Sequence, residues 1–225
     1  MIEIAMSFDV FPVLGVELTI SNSLVLSFSK DNSDLASIDF LNTEELSRYV
    51  FEQLQKKGVI YGVGGYNEER VIYQRSELFN STDGSRCIHL GVDIWAEAGH
   101  PIFAPLDGIV HSFQDNFGFG NYGPTLILKH EISGQVFFSL YGHLDHQSLL
   151  KPGDVIKAGQ KIAKIGSSHI NGDWPPHLHL QLITDVPNGV GDFPGVTTFN
   201  EREKYLKLCP NPNLILRHPQ LSCCS

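Results

Sequence analysis

Two histidines separated by one residue, His177 and His179, lie in the segment HLHLQLI. The segment has the composition of a β-strand, in which side chains two residues apart share a face. Both imidazoles should therefore point to the same polar surface, about 7 Å apart at Cα, while the alternating leucines face the core. At this separation the pair could provide two ligands for one metal ion, or one ligand and a neighbouring acid or base.

A second pair of this kind is His89 and Asp93, in the segment HLGVD. Side chains four residues apart share a face of a strand, but in a flat strand their Cα atoms would lie about 13 Å apart. Two ligands of one zinc ion must both place a donor atom about 2 Å from the metal. Gly91 between them allows a bulge or a sharp bend. The sequence therefore predicts an irregular strand at Gly91.

Together the two segments offer nitrogen, carboxylate oxygen and nitrogen donors, a set that suits zinc and leaves a fourth position open for water. Cys87 lies two residues before His89, and we interpret it as a bystander because no other cysteine is placed to complete a thiolate site. Each pattern is weak by itself. The combination gains weight from a third histidine, His143, in the turn-like segment YGHL. Five further histidines lack partner spacing and are predicted to be surface or structural residues, namely His111, His130, His146, His169 and His218.

The elements that must position these residues are short and β-rich. Between residues 86 and 184, apolar runs alternate with Gly, Pro and Asn, which predicts a mainly β fold, an antiparallel β-sandwich or open barrel. The runs are CIHLGVDIW, PIFAP, GIVHSF, TLILKH, QVFFSLYGHL, KIAKIG and HLHLQLI. A short final helix is predicted over 201–208, where Asn200 and Glu203 have capping-box spacing and Pro210 follows.

The N-terminal part, residues 1–75, is predicted to be an α+β extension before a domain over residues 76–225. Alternating apolar residues predict strands near 16–20 and 24–28. A helix is predicted over 43–57, because Asn42 and Glu45 have capping-box spacing and Gly58 ends the apolar stripe. The glycines of the following segment, GVGGYNEER, predict a loose loop. It is not a phosphate-binding loop, since neither an apolar helix nor Lys-Ser/Thr follows.

The composition excludes several functions. Lys and Arg number 16 against 25 Asp and Glu, a net charge of −9 over 225 residues, which disfavours general nucleic-acid binding and docking on anionic surfaces. No apolar run is long enough to span a bilayer, and the N-terminus lacks the basic region of a secretion signal. Four cysteines without a C-x-x-C pattern suggest unpaired thiols in a reducing compartment (Cys87, Cys209, Cys223 and Cys224). We therefore expect a cytoplasmic location.

The motifs and their order resemble the M23 (lysostaphin/LytM-type) zinc metallopeptidases. The similarity runs from Arg86 to about Leu182, through AGHPIFAPLDGIVHSF, FGNYGPTLILKH, LYGHL, KPGDVIKAGQKIAKIG and WPPHLHLQ. The resemblance implies a fold of the LytM or duplicated-hybrid-motif type, a Zn²⁺ cofactor and the hydrolysis of peptide bonds. The expected substrates are peptides or peptidoglycan, in particular its cross-bridge and stem peptides.

The resemblance also assigns roles to residues. It implies three zinc ligands, His89, Asp93 and His179, and two catalytic histidines, His143 and His177. Asn121 and Tyr122, in the FGNYG stretch, are candidate substrate contacts, although a structural turn explains them equally well. The chain lacks His-Glu-x-x-His, so the two catalytic histidines should serve as base, acid or oxyanion donor.

The N-terminal part is similar to M23 domains embedded in large cytosolic fusion proteins with kinase-like and aminotransferase domains. This narrower similarity conflicts with a peptidoglycan substrate, because such proteins carry no export signal. The similarity runs through the segment GVGGYNEERVIYQRSELF.

Two other functional classes share features with the sequence. The segment KPGDVIKAGQKIAKIG predicts a β-hairpin with residues 157–160 at its turn, similar to hairpins of biotinyl or lipoyl carriers and of phosphocarriers. The chain has no Met-Lys-Met-like turn, and Asp93 beside His89 would repel a phosphoryl group. A non-catalytic M23-like regulatory or binding module is the other alternative. Some M23-like domains lose zinc ligands and act as protein regulators, whereas all five site residues are present here.

Overall fold

The computed structural model describes residues 9–80, 84–146, 150–186 and 191–221. The strands of these ranges are β1 Ser23–Leu26, β2 Tyr61–Gly64, β3 Arg86–His89, β4 Val92–Trp95, β5 Pro101–Phe103, β6 Gly108–Asn116, β7 Gly123–Ile132, β8 Gln135–Gly142, β9 Val155–Ile156, β10 Lys161–Lys164, β11 His177–Ile183 and β12 Val196–Thr198. The α-helices are α1 Thr43–Lys57, α2 Arg202–Leu208 and α3 Asn213–Leu216, and short 3-10 helices span 33–37, 71–75 and 77–79.

Eight strands form one large mixed sheet in the order β1-β2-β4-β11-β8-β7-β6-β9. β1 and β2 run parallel, and the other described strand pairs are antiparallel. Two small sheets, β10-β5 and β12-β3, accompany it. The prediction of a mainly β fold is confirmed. The large sheet is open, since β1 and β9 stand at opposite ends of its strand order.

The alternation predicted for β11 is confirmed. Leu178, Leu180 and Leu182 are at most 1% exposed and belong to the largest core cluster. Burying a leucine side chain contributes about 1.5–3 kcal/mol, so these residues fix which face of β11 is apolar. Shifting the strand register by one residue would bury the imidazoles in that core instead.

The predicted helix α1 is confirmed at both ends. The side chain of Asn42 accepts hydrogen bonds from the backbone N–H groups of Glu44 and Glu45, and Gly58 ends the helix in the left-handed conformation. The reciprocal bond of a capping box is absent, because Glu45 accepts from the backbone N–H of Asp39. The backbone N–H of Asn42, which the capping box would satisfy, donates instead to the carbonyl of Asp39 at 3.0 Å.

The apolar stripe of α1 packs against the part of the large sheet that contains its N-terminal strands. Leu46, Val50 and Leu54 are buried in a second cluster that includes Phe28 and Trp95.

Among the described residues, no helix is both long and apolar enough to cross a membrane.

Two N-terminal predictions are wrong. Residues 16–20 form no strand, and only Ser23–Leu26 pairs with the sheet. The glycines expected to loosen the chain instead form β2, which lies between β1 and β4. A Cβ atom at Gly64 would lie 2.5 Å from both Nη2 of Arg70 and the ring of Trp95. Glycine is therefore required there because two large side chains cross the strand.

Two predictions in the C-terminal half are right only in part. The helix predicted over 201–208 is confirmed as α2, Arg202–Leu208. It follows Glu201, which makes no side-chain cap, so the Asn200–Glu203 capping box does not form. The turn at Lys157–Gln160 is present, with Gln160 N–H donating to the carbonyl of Lys157 at 2.9 Å. Its flanking strands do not form a hairpin, since β9 pairs with β6 and β10 pairs with β5.

The described part of residues 1–75 shares the large sheet with the rest of the chain. β2 pairs with β4 in antiparallel register, with Gly64 opposite Asp93. The domain boundary near residue 75 stays a prediction.

Of the four cysteines, Cys87 and Cys209 are free thiols, and Cys223 and Cys224 lie outside the described residues.

Candidate metal centre

The bend predicted at Gly91 is present and separates two sheets. β3 ends at His89 and pairs with β12, whereas β4 begins at Val92 and pairs with β11. In the second pairing, His179 lies directly opposite Asp93. The chain thus carries His89 out of one sheet and Asp93 into the other, toward the same point.

At this point three donor atoms converge. Nε2 of His89 lies 3.0 Å from Nδ1 of His179 and 3.3 Å from Oδ1 of Asp93. Nδ1 of His179 lies 3.0 Å from the same carboxylate oxygen. All three residues are at most 4% exposed. The structure therefore brings together the three residues that the sequence predicts as ligands, and no cysteine belongs to this group within the described ranges.

The hydrogen bonds around the two imidazoles show that lone pairs face inward. Nδ1–H of His89 donates to the carbonyl of Gly65 at 3.0 Å, and Nε2–H of His179 donates to Oε1 of Gln181 at 2.9 Å. The amide nitrogen of Gln181 in turn donates to the carbonyl of Pro194, which fixes the orientation of this amide. In neutral rings the protons then occupy the outer nitrogens, so the inner nitrogens are acceptors.

Three acceptor atoms only 3.0 to 3.3 Å apart repel each other unless a cation lies among them. The set of two imidazole nitrogens and one carboxylate oxygen is one that Zn²⁺ prefers. Metal-bound histidines characteristically donate their other N–H to an acceptor, as both rings do here. The residues present therefore fit a zinc ion.

The electrostatics favour the metal-binding protonation states. Burial, together with the neighbouring Arg70, lowers the pKa of His89 to about 4. Burial alone would raise the pKa of Asp93, but His89 and Arg70 outweigh it and hold that pKa well below its usual range. At neutral pH the site offers neutral His89 and a carboxylate, the forms that bind a metal without first losing a proton.

The two histidines assigned by resemblance as catalytic lie beside this cluster. Their rings are 4.1 Å apart. Nδ1–H of His143 donates to the carbonyl of Asn171, and that of His177 to the carbonyl of Pro175, each at 2.7 Å. The Nε2 atoms are left as acceptors, and that of His177 lies 3.7 Å from Oδ1 of Asp93.

Burial keeps this second pair neutral. It lowers the pKa of His143 well below its usual range, and the nearby His177 and His179 lower it further. Burial also lowers the pKa of His177. Two neutral imidazoles with accessible Nε2 lone pairs can accept a proton from a reacting group and return it.

The backbone around His143 is unusual and well anchored. His143 follows β8 directly and has a φ of 63°, a left-handed value that is uncommon outside glycine. Its N–H donates to the carbonyl of Tyr122 at 2.9 Å, and its own carbonyl accepts from the N–H of Gly166 at 2.9 Å. Such a conformation persists only where neighbouring contacts determine it, and here it aims the imidazole at His177.

The two candidate substrate contacts differ in their surroundings. Oη of Tyr122 lies 3.3 Å from Nε2 of His179, so this side chain reaches the cluster. Burial raises the pKa of Tyr122 well above its usual range and keeps it a phenol. Asn121 accepts from the backbone N–H of Tyr122 at 2.9 Å, an arrangement that stabilises the turn. Both line the cleft described next, and their contact with a substrate stays a prediction.

A cleft opens above the cluster, and aromatic side chains form much of its wall. Its aromatic lining comprises Phe28, Tyr73, Phe79, Trp95, Tyr122, Trp174 and Phe193. The ring centroids of Tyr73 and Phe79 lie 4.7 Å apart with the planes tilted by 44°, and Trp174 stands edge-on to both rings. An apolar wall beside a group of polar side chains is the usual composition of a ligand-binding cleft.

The remaining histidines lie outside the cluster. His130 is buried between the hydroxyl of Ser139 and the carbonyl of Asp107, and His218 contacts the hydroxyl of Ser23. His169 is exposed. These positions agree with surface or structural roles.

Sequence reasoning missed the residues that orient the donors. Gln181 stands two residues after His179 on the same face of β11, and the period of a strand could have revealed it. Gly65, Arg70 and Asn171 gave no such signal. Their contacts with the site arise only when β2, β4 and the loop before β11 come together in the fold.

Gly91→Ala should disrupt the cluster, because a Cβ atom there would lie 2.5 Å from Cε1 and 2.6 Å from Nε2 of His179. The backbone oxygen of Leu180, at 2.7 Å, blocks a simple displacement. We expect a loss of about 1–3 kcal/mol in the free energy of unfolding. Zinc affinity should fall as well, since the ring of His179 must move. Thermal unfolding and zinc titration measure the two effects.

Gly58→Ala is the matched control for this substitution. Gly58 has a φ of 72° with open space around its Cβ direction, so alanine should cost roughly 1–2 kcal/mol through backbone strain alone. Its zinc affinity should equal that of the wild type. Equal zinc affinity of the Gly91 variant would contradict the tight approach described for His179.

The sequence of this chain is similar to those of several known proteins. The sequence model of peptidase family M23 matches residues 87–189. An uncharacterized metalloprotease of Haemophilus influenzae is 36% identical over 94 residues, which cover 42% of this chain and 18% of that protein. The L-Ala--D-Glu endopeptidase of Bacillus subtilis is 31% identical over 108 residues, covering 45% and 31%.

A third relative is named as an activator of a hydrolase. The murein hydrolase activator NlpD of Escherichia coli is 33% identical over 107 residues, covering 47% of this chain and 25% of that protein. The chain thus spans less than a third of the length of each of these three relatives. Among solved structures, the catalytic domain of the antimicrobial peptidase lysostaphin from Staphylococcus simulans is 26% identical, with a TM-score of 0.43, covering 69% of this chain and 96% of that one.

Proposed function

We propose that the chain is a zinc-dependent endopeptidase acting on peptidoglycan peptides, and the match of residues 87–189 to the sequence model of peptidase family M23 supports this. One observation carries the proposal. The inner nitrogens of His89 and His179 and one oxygen of Asp93 converge within 3.0 to 3.3 Å, beside two further neutral imidazoles and an open cleft.

Zinc would be held by Nε2 of His89, Oδ1 of Asp93 and Nδ1 of His179. When bound, it would supply a Lewis acid that polarises the scissile carbonyl and lowers the pKa of a bound water toward about 7. Three protein ligands leave a position open for substrate or water, which is typical of catalytic rather than structural zinc sites.

His143 and His177 supply the proton transfers in this proposal. Peptide hydrolysis requires a base that takes a proton from the attacking water and an acid that protonates the leaving amine. Each histidine offers a neutral Nε2 and has its Nδ1–H held by a backbone carbonyl, which fixes the ring and stabilises the imidazolium after it accepts a proton.

The relatives' names support peptidoglycan as the substrate class. One relative is named an L-Ala--D-Glu endopeptidase, and another, from Vibrio cholerae, is named the peptidoglycan DD-endopeptidase ShyB. In this proposal the peptide lies against the wall of the cleft formed by Tyr73, Phe79 and Trp174. The cytoplasmic location and the similarity to cytosolic fusion proteins stay predictions beside this one.

A non-catalytic regulatory module is the second candidate function, favoured by the relative named as a murein hydrolase activator. The presence and convergence of all five site residues argue for the enzyme. The carrier alternative is weaker, because Lys157 at the predicted hairpin turn forms an ion pair with Asp107 at 2.7 Å and the hairpin itself is absent.

Digestion assays distinguish the two candidates. The zinc-loaded chain should release new amino termini from purified peptidoglycan, and mass spectrometry of the products should identify the cleaved bond. A panel of glycine-rich and ordinary peptides should be cleaved less well. Treatment with a chelator should stop the reaction and added zinc should restore it. A zinc-loaded chain that cleaves no peptide bond but stimulates a separate murein hydrolase would establish the regulatory module instead.

A further inference from the structure

We propose that Arg70 is a positioning residue of the metal centre, which holds Asp93 so that one carboxylate oxygen faces the two ligand imidazoles. The inference rests on the zinc site proposed above and extends it to residues outside the matched family region, 87–189. The two oxygens of Asp93 have different partners. Oδ1 faces His89 and His179, whereas Oδ2 accepts a short hydrogen bond from Nη1 of Arg70.

The guanidinium of Arg70 is itself fixed on every side. Nε donates to Oε2 of Glu68 at 2.7 Å and Nη2 donates to the carbonyl of Gly65 at 3.3 Å. The guanidinium carbon lies 5.7 Å from the ring of Phe28 and 6.0 Å from that of Trp95. The side chain is fully buried. A planar group with this many simultaneous contacts cannot rotate without breaking several of them, so it holds Oδ2 in one place.

Glu68 connects this arrangement to the first strand of the sheet. Its Oε1 accepts from the hydroxyl of Ser27 at 2.7 Å and from the backbone N–H of Phe28 at 3.0 Å. Its other oxygen accepts from Arg70. A continuous series of hydrogen bonds therefore runs from the chain just after β1, through Glu68 and Arg70, to Asp93.

Residues 65–70, which contain Glu68 and Arg70, also orient a second ligand, His89. The carbonyl of Gly65 accepts from Nδ1–H of His89 at 3.0 Å and thereby directs the lone pair of Nε2 inward. Residues 65–70 thus contact the outer side of two of the three donor residues, His89 and Asp93. The metal centre inferred from the family match is completed by a segment that lies before it in the chain.

A simpler role for Arg70 would be charge compensation of the buried Asp93. This role makes different predictions. A lysine would supply the same charge, and removing a cation close to the site would strengthen binding of Zn²⁺ by relieving repulsion. If Arg70 positions Asp93, its removal weakens zinc binding despite the relieved repulsion. Lysine should then rescue only in part, because it cannot reproduce the planar fork.

The test is the zinc dissociation constant of the full chain, measured by competition with a chromogenic chelator. We expect Arg70→Met to weaken zinc binding by roughly 10- to 100-fold, the usual effect of losing an outer-shell partner. Arg70→Lys and Glu68→Gln should show smaller losses. The visible absorption spectrum of the cobalt-substituted protein should change in the Arg70 variants, because it reports the arrangement of the ligands.

Arg75→Met is the matched control. Arg75 is also buried, at 3% exposure, and comes from the same part of the chain, but its Nη2 donates to the hydroxyl of Thr43 and the carbonyl of Asp173. Its loss should lower the melting temperature and leave zinc affinity and the cobalt spectrum unchanged. If Arg70→Met does not fold, Arg70→Lys and Glu68→Gln decide the question at temperatures below their melting transitions.

The outcomes separate this inference from the proposed function. A wild-type chain that binds zinc tightly, with all Arg70 and Glu68 variants equal to it or tighter, would overturn the positioning role and leave the zinc site standing. A folded wild-type chain that does not bind zinc would overturn both.

Discussion

Asp93→Ala should abolish zinc binding and peptide hydrolysis together. The substitution removes the carboxylate oxygen that lies 3.0 Å and 3.3 Å from the two ligand nitrogens. The loss of zinc affinity should exceed the roughly 10- to 100-fold expected for an outer-shell partner. It also leaves the buried guanidinium of Arg70 without its principal partner, which should reduce stability by about 3–5 kcal/mol. Elemental analysis and chemical denaturation measure the two effects.

Asp107→Ala is the control for Asp93→Ala. The side chain of Asp107 is 61% exposed and pairs with Lys157 on the surface. The Asp107 variant should retain zinc, activity and nearly all of its stability, since exposed ion pairs contribute little. Zinc retained at wild-type affinity by a folded Asp93→Ala chain would show that Asp93 is not a ligand.

His143→Asn should keep zinc bound and lose turnover. The imidazole of His143 is packed against that of His177 but does not belong to the donor cluster. Asparagine is chosen because it tolerates the left-handed backbone at this position better than alanine. Loss of a general acid or base should reduce kcat by about 10²- to 10⁴-fold. Zinc stoichiometry and peptide hydrolysis, measured on the same preparation, test both parts.

His169→Asn is the matched control for His143→Asn, because His169 is exposed. This variant should equal the wild type in both measurements. Full activity of His143→Asn would remove His143 from the proposed mechanism. A parallel loss of zinc would instead place His143 among the groups that maintain the metal site.

The elements that carry the donors could be predicted from local patterns. The alternation of leucine and histidine in β11 fixes which face is polar, and Gly91 marks the point where the strand must bend. Both are consequences of strand geometry over a few residues. The helix α1 was equally readable, because its cap, stripe and terminal glycine lie within one segment.

The parts that could not be predicted depend on contacts between distant segments. Gly62 and Gly64 suggested a loose loop, yet β2 is a buried strand whose glycines make room for Trp95 and Arg70. The lysine-containing turn suggested a hairpin, yet its two strands join different sheets. Arg70 lies 23 residues before Asp93, and its role becomes visible only when β2 packs beside β4.

The most direct test of the proposed zinc site is the metal content of the purified 225-residue chain. The protein should be equilibrated with zinc, dialysed against metal-free buffer and examined by elemental analysis, together with its His179→Ala variant. We predict about one zinc per wild-type chain, as expected for a site with three protein ligands, and almost none in the variant. A correctly folded wild-type chain that retains no zinc, or a variant that retains as much as the wild type, would contradict the site formed by His89, Asp93 and His179.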